Sequence, residues 1–104
     1  MLRKSFLMHV HPDQHAEYER RHNKIWPDLV AVLKEHGAQN YSIFLDKKTN
    51  QLFAYVEIES EELWEKIATT DACQRWWEYN APIMPGDENG CPEARELVSV
   101  FHLP

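Results

Sequence analysis

Four stretches of this chain are predicted to be β-strands, and two of them, residues 2–10 and 52–58, alternate with the period of two residues that is typical of a strand. The stretches are residues 2–10, 41–45, 52–58 and 97–103. In the third stretch every second residue is aliphatic, so we expect one face of that strand to be buried. The polar residues 46–50 predict a turn, and the second and third strands are therefore expected to form an antiparallel hairpin.

A helical pattern follows the first strand. Pro12 and Asp13 predict its start, because proline is tolerated in the first turn and aspartate is a good cap. Pro27 removes a backbone donor and predicts a break near residues 23–26. A second segment then runs from Pro27 to the residue before Gly37, which is a natural C-terminal cap.

A second helical region follows the hairpin. Ser60 and the acidic residues after it predict the start of a helix that ends at about Thr69. Thr70 or Asp71 is then expected to cap another short helix, which is closed by Pro82. The order of elements is therefore β-α-β-β-α-β.

This order predicts an α+β fold of the ferredoxin-like type, with a four-stranded antiparallel sheet and the helices on one face. The 104 residues fit a single domain, 1–104. Leu7 and Phe44 place apolar side chains on the second face of the sheet as well. A sheet that is apolar on both faces needs a second cover. We therefore expect a homodimer in which two sheets face each other, a dimeric α+β barrel.

The composition narrows the possible partners and compartments. A formal net charge of −6 makes nucleic acid and anionic membrane surfaces poor partners. No run of 18 apolar residues predicts a transmembrane helix, and the N-terminus lacks the cleavage site of a signal peptide. Cys73 and Cys91 are too few for a disulfide framework and are expected to be thiols. We therefore expect a cytoplasmic protein, with an exposed loop at residues 86–93.

Motifs for phosphate binding, zinc proteases and serine hydrolases are absent from the sequence. His9 and His11 could approach His15 or His102, but their spacing fits no familiar metal site. We interpret them as histidines at a solvated edge and predict neither a metal nor a cofactor.

Two aromatic groupings are candidates for a binding site. His22 lies four residues after Tyr18, so the two share a helix face just before the predicted break. Trp76 and Trp77 are adjacent and diverge by about 100° on a helix, so one is expected to pack inside while the other lines a cleft. Indole rings suit the C–H faces of a sugar. Packing of these residues in the core or on the surface is the alternative interpretation of both groupings.

Several motifs along the whole chain together resemble the L-rhamnose mutarotase family. They are Tyr18–Asn23, Ile25–Pro27, the strand with Tyr41, Cys73–Trp77 and Val100–Pro104. The resemblance implies a small dimeric α+β protein that interconverts the α and β anomers of L-rhamnose without a cofactor. It implies that His22 is the general acid and that the sugar is bound by Tyr18, Tyr41, Trp76 and Trp77. The loop 86–93 agrees least with the family pattern.

Mutarotation opens the sugar ring and recloses it on the other face of the anomeric carbon. A base takes the anomeric hydroxyl proton while an acid protonates the ring oxygen, and a histidine suits both tasks near neutral pH. Tyr18, Tyr41 or water are the candidates for the second proton carrier. The same fold also hosts cofactor-free monooxygenases and ligand-sensing modules, and fold alone does not separate these alternatives.

Overall fold

A four-stranded antiparallel sheet with strand order β2-β3-β1-β4 forms one layer of the molecule, and the helices form the other. The computed structural model describes residues 1–86 and 92–104. Its elements are β1 (Leu2–His9), α1 (His15–Asn23), α2 (Pro27–Glu35), β2 (Ala38–Asp46), β3 (Gln51–Ile58), α3 (Glu61–Ile67), α4 (Asp71–Asn80), a 3-10 turn (Ala81–Ile83) and β4 (Arg95–Leu97). The predicted ferredoxin-like fold is confirmed.

The inner face of the sheet forms the core. The four aliphatic residues of β3 that were expected to share a face are at most 1% exposed: Leu52, Ala54, Val56 and Ile58. Phe6 and Met8 lie beside them on β1, in register with Ala54 and Leu52. Tyr18 of α1 packs onto this surface, with Leu33 of α2 and Trp64 of α3. Burial of these side chains holds the helical layer on the sheet.

The break between α1 and α2 is where the sequence predicted it. Helix α1 ends at Asn23, and Trp26 has extended backbone angles (φ −67°, ψ 133°) immediately before Pro27. The predicted start of α1 at residues 12 and 13 is wrong. The Gln14 amide donates to the His11 carbonyl at 2.9 Å, so residues 11–14 form a turn and α1 begins at His15.

Local capping signals correctly predicted the starts of α3 and α4. The Ser60 hydroxyl accepts a hydrogen bond from the Leu63 amide at 3.1 Å, and the Thr70 hydroxyl accepts one from the Cys73 amide at 3.3 Å. Each bond satisfies an amide that has no partner within its own helix.

Gly37 ends the second helical segment in the left-handed region, at φ +80°. Its amide donates to the Lys34 carbonyl, and its carbonyl accepts from the Glu59 amide. A Cβ atom at this position would lie 2.6 Å from the Glu59 Cβ. Both the backbone angle and the close approach therefore require glycine here.

Gly37→Ala is expected to destabilise the fold by ~1–2 kcal/mol from the backbone conformation alone, and the contact with Glu59 adds to this loss. Gly37→Asn should destabilise less, because asparagine tolerates the left-handed region although it too has a Cβ. Urea denaturation measures both. Unchanged midpoints for the two variants would contradict the assigned role of Gly37.

Strand β2 begins earlier than predicted, at Ala38, and contains an irregularity. Its register against β3 shifts between Gln39 and Ser42, and Asn40 between them has φ +50°. Asparagine tolerates this left-handed angle better than most residues. The shift brings Tyr41 to the face that carries Phe6, where its ring also meets Trp64 of α3.

The prediction of a last strand over 97–103 is wrong. Strand β4 covers only Arg95–Leu97 and pairs with β1, and residues 98–104 have no regular secondary structure. The tail nevertheless carries four apolar side chains that are 78–94% exposed: Val98, Val100, Phe101 and Leu103. The apolar residues suggested a strand, but residues 98–104 pair with none of the strands among residues 1–86 and 92–104.

The outer face of the sheet carries a row of apolar side chains in register. Phe44 of β2 lies opposite Phe53 of β3, which lies opposite Leu7 of β1. Phe44 is 68% exposed and Phe53 is 39% exposed, whereas Leu7 is buried. No helix covers the two phenylalanines in the part of the chain that the structure describes.

Candidate active site

A cavity of about 810 Å³ lies between the inner face of the sheet and the helical layer. This volume is within the range of small-molecule sites. The five residues singled out from the sequence all line it: Tyr18, His22, Tyr41, Trp76 and Trp77. The fold therefore gathers residues from α1, β2 and α4 around one space.

His22 and Tyr18 are one helical turn apart in α1, and their rings stack. The ring centroids are 4.1 Å apart and the planes are inclined by 28°. His22 Nδ1 donates a hydrogen bond to the Tyr18 backbone carbonyl at 2.9 Å, since a carbonyl can only accept. The ring stacking and this hydrogen bond together hold the His22 imidazole in one orientation.

This hydrogen bond determines which ring nitrogen of His22 can react. Because Nδ1 carries the proton, Nε2 of the neutral imidazole has the free lone pair. Burial lowers the pKa of His22 below its ordinary value of 6.5, although the bond to the Tyr18 carbonyl opposes the shift. His22 is therefore neutral at pH 7 and can accept a proton.

The two tryptophans of α4 differ in burial but share the cavity. Trp76 is 8% exposed and presents its ring edge-on to His22, at 5.2 Å between centroids and 81° between planes. Trp77 is half-buried and packs against the same cluster. One of them packs inside as expected, namely Trp76, but it lines the same cavity as Trp77.

Tyr41 reaches the cavity from the sheet. Its ring lies 6.2 Å from Phe6 and 6.0 Å from Trp64, between centroids. Burial raises the pKa of the Tyr41 phenol above its ordinary value, and the nearby Tyr18 and Cys73 add to the rise. Burial raises the pKa of Tyr18 as well. Both phenols therefore keep their protons at neutral pH and can donate hydrogen bonds.

Sequence reasoning missed several residues of this cavity. Trp64 of α3 packs against Phe6 and Tyr41, and Asn80 ends α4 one turn after Trp76. Asn80 shares a helix face with the two predicted tryptophans, so the spacing alone could have pointed to it.

Lys4 marks the edge of the cavity nearest to β4. Its ammonium group donates to Glu61 of α3 at 3.1 Å and to Glu96 of β4 at 2.8 Å. Burial lowers the pKa of Lys4, but the bonds to the two carboxylates outweigh this and raise it. The charged group thus ties three elements together beside the cavity.

The other histidines make separate contacts. His15 Nε2 donates to the Asn50 side-chain oxygen at 2.8 Å, and His36 Nδ1 donates to the Val32 carbonyl at 2.7 Å. Within residues 1–86 and 92–104, no three His, Cys, Asp or Glu side chains are grouped as metal ligands would be.

Two predictions concern residues near the C-terminal loop. Gly86 and Pro92 form an isolated antiparallel bridge at the ends of the predicted loop 86–93. Residues 87–91, and with them Cys91, lie outside the described residues. Cys73 is buried in α4. The expectation that both cysteines are thiols stays a prediction.

Comparison with known proteins shows to which family the chain is similar. The family model for L-rhamnose mutarotase matches residues 3–103. An L-rhamnose mutarotase from Escherichia coli O8 (strain IAI1) is 60% identical, and the match covers 100% of both chains. The crystal structure of an L-rhamnose mutarotase from Formosa agariphila superimposes with a TM-score of 0.92, at 32% identity and 100% coverage of both chains.

A likeness to another class of enzyme shows the fold alone. An antibiotic biosynthesis monooxygenase is similar with a TM-score of 0.63, but the identity is only 14%, with 97% of this chain and 100% of that chain covered. The sequence identity to the mutarotases is far higher over the full length, so the sequence comparison favours the mutarotases. This chain belongs to the L-rhamnose mutarotase family.

Proposed function

We propose that this chain interconverts the α and β anomers of L-rhamnose, as an isomerase acting on the anomeric carbon. The observation that carries the proposal is the His22 imidazole, which is held with a free Nε2 lone pair at the wall of a cavity large enough for a small ligand. Family membership supplies the substrate.

His22 begins the reaction as a base. Nε2 of the neutral ring takes the proton of the anomeric hydroxyl, a carbonyl forms at the anomeric carbon, and the bond to the ring oxygen breaks. The electron pair of that bond goes to the ring oxygen, which takes a proton from a second group. The protonated His22 then carries the proton needed for the return step.

His22 completes the reaction as an acid. After rotation about the neighbouring carbon–carbon bond, the ring oxygen attacks the other face of the carbonyl and loses its proton. The imidazolium returns its proton to the carbonyl oxygen, which becomes the hydroxyl of the other anomer. The general-acid role expected for His22 therefore belongs to ring closure. Every proton is restored and no electron is transferred, so the reaction as proposed needs no cofactor.

The second proton carrier is proposed to be a phenol of the cavity. Tyr18 and Tyr41 both hold their protons at neutral pH because burial raises the pKa of each. A protonated phenol can donate to the ring oxygen as the bond breaks, and the phenolate formed can take the proton back on closure. Tyr18 lies stacked on His22, which places it beside the base.

The aromatic walls are proposed to bind the sugar. Trp76 and Trp77 offer indole faces for the C–H surfaces of the ring, and their N–H groups can donate to hydroxyls. Tyr41 faces the cavity from the opposite layer. A sugar between α4 and β2 is thus contacted from both sides.

Anomer exchange with a panel of sugars tests the proposed substrate. The optical rotation of freshly dissolved L-rhamnose should relax faster in proportion to the protein concentration, and other sugars should respond less. A relaxation rate that the protein does not change for any sugar of the panel would contradict the proposed function.

The pH dependence of kcat/KM follows from the direction of the His22 pKa shift. The neutral imidazole is the reactive form, and its pKa in the folded protein lies below 6.5. The rate constant should therefore fall at low pH as Nε2 becomes protonated, with the midpoint of the fall below pH 6.5. A midpoint above pH 6.5 would contradict the assignment.

We also propose that the chain forms a homodimer through the outer face of the sheet. The row of Phe44, Phe53 and Leu7 supports this, because the two phenylalanine rings are apolar and yet exposed on the outer face of the sheet. The exposed tail 98–104 supports it too. Full burial of such side chains would contribute ~1.5–3 kcal/mol each. A second copy of the chain offers both a partner sheet and a surface for the tail.

The proposed compartment is the cytoplasm. The low number of cysteines is typical of proteins in a reducing compartment. Among the described residues, the helices are all too short or too polar to cross a membrane.

A further inference from the structure

Asn80 is a buried polar side chain whose amide nitrogen and oxygen differ in their hydrogen bonding. It is 2% exposed and is the last residue of α4. Its Nδ2 donates to the Trp76 backbone carbonyl at 3.0 Å. Because a carbonyl can only accept, this bond fixes which end of the amide is nitrogen and leaves Oδ1 pointing elsewhere. Oδ1 is buried and has no hydrogen-bond partner among the described residues.

Asn80 is one of the residues that form the wall of the cavity. Asn80 lines the cavity together with Trp76 and Trp77, which lie four and three residues earlier on the same side of α4. A buried acceptor without a partner destabilises a protein by ~1–3 kcal/mol, so a ligand that supplies a donor here would gain affinity.

We propose that Asn80 Oδ1 accepts a hydrogen bond from a ring hydroxyl of the bound sugar and so positions the anomeric carbon against His22. The inference rests on the proposed function and makes it more specific. Sugar hydroxyls are donors, and an amide oxygen accepts without taking the proton, so Asn80 is a positioning residue and takes no part in proton transfer. The bond to the Trp76 carbonyl links this position to the aromatic wall.

The test pairs a variant with sugars that lack single hydroxyls. Asn80→Leu keeps the approximate size and removes the acceptor. Wild type and variant are compared on L-rhamnose and on three analogues that lack the hydroxyl at carbon 2, 3 or 4. We expect Asn80→Leu to lower kcat/KM for L-rhamnose by ~10- to 100-fold, the effect of one lost buried hydrogen bond. For one analogue, kcat/KM with the wild type should be lower than that for L-rhamnose by a similar factor. For the same analogue, Asn80→Leu should cause no further decrease in kcat/KM.

The coupling between residue and hydroxyl separates positioning from a structural role. An equal loss for L-rhamnose and all three analogues would mean that Asn80 only supports the helix, and would overturn the inference while leaving the proposed function intact. No exchange of L-rhamnose by the wild type would overturn both. If Asn80→Leu does not fold, as judged by circular dichroism, Asn80→Met replaces it, since methionine adapts to irregular spaces; the same outcomes apply.

Discussion

His22→Gln is expected to lower the rate of anomer exchange by ~10²–10⁴-fold, the usual contribution of a positioned acid–base group. Glutamine is similar in size, but its amide neither takes nor gives a proton at neutral pH. The stacking partner Tyr18 and the edge contact from Trp76 remain available to hold the helix in place. The loss should therefore appear in kcat, with thermal unfolding little changed.

His36→Gln is the matched control for this variant. His36 also donates from Nδ1 to the carbonyl four residues earlier, that of Val32, at 2.7 Å. It too is half-buried, and it caps the C-terminal end of α2. It does not line the cavity. The control should lose a similar local bond and keep full activity. Equal rates for wild type and His22→Gln would remove His22 from the mechanism.

Phe44→Glu is expected to dissociate the proposed homodimer. Phe44 is 68% exposed within one chain, so the substitution should disturb the folded chain itself very little. In a two-fold symmetric dimer the charge is buried twice, and each unpaired buried charge destabilises the contact by several kcal/mol. The dissociation constant should rise by more than ~10³-fold. Sedimentation equilibrium across the micromolar range measures it.

Phe44→Leu is the control for that experiment, since it keeps an apolar side chain at the same position of β2 and should leave the dimer in place. Two outcomes would contradict the proposed interface. One is a wild-type chain that sediments as a monomer at micromolar concentration. The other is a Phe44→Glu variant that remains dimeric.

Features with local causes were predictable from the sequence. Ser60 and Thr70 cap their helices through neighbouring amides, and Pro27 interrupts the helix before it. Gly37 ends the next segment because its own backbone angle requires glycine. Each of these effects acts within a few residues, and the order of elements then limits the fold to few topologies.

Features that depend on distant partners were not predictable in the same way. Residues 97–103 are rich in apolar residues and were predicted as a strand, but a strand needs a neighbour, and β4 pairs with β1 only as far as Leu97. The start of α1 was misplaced because a turn between His11 and Gln14 replaces the expected first helical turn. The sequence of residues 97–103 does not show that their pairing with β1 ends at Leu97, and the sequence near Pro12 does not show the bond between Gln14 and His11.

In the candidate site, too, local contacts were predictable from the sequence and contacts between distant residues were not. His22 and Tyr18 are one helical turn apart, so their contact followed from spacing. Tyr41 comes from a different layer, and the family resemblance rather than any pattern brought it into the prediction. Trp64 was missed because only the packed structure shows that it lines the cavity. Asn80 was overlooked although its spacing from Trp76 and Trp77 on α4 pointed to it.

Saturation transfer between the anomeric proton signals of L-rhamnose at equilibrium tests the central claim most directly. The mixture already contains both anomers, so any added transfer of saturation reports ring opening and reclosure. We predict a transfer rate that rises in proportion to wild-type protein and does not rise with His22→Gln. The same transfer rate with and without wild-type protein would contradict the claim that this cavity interconverts the anomers.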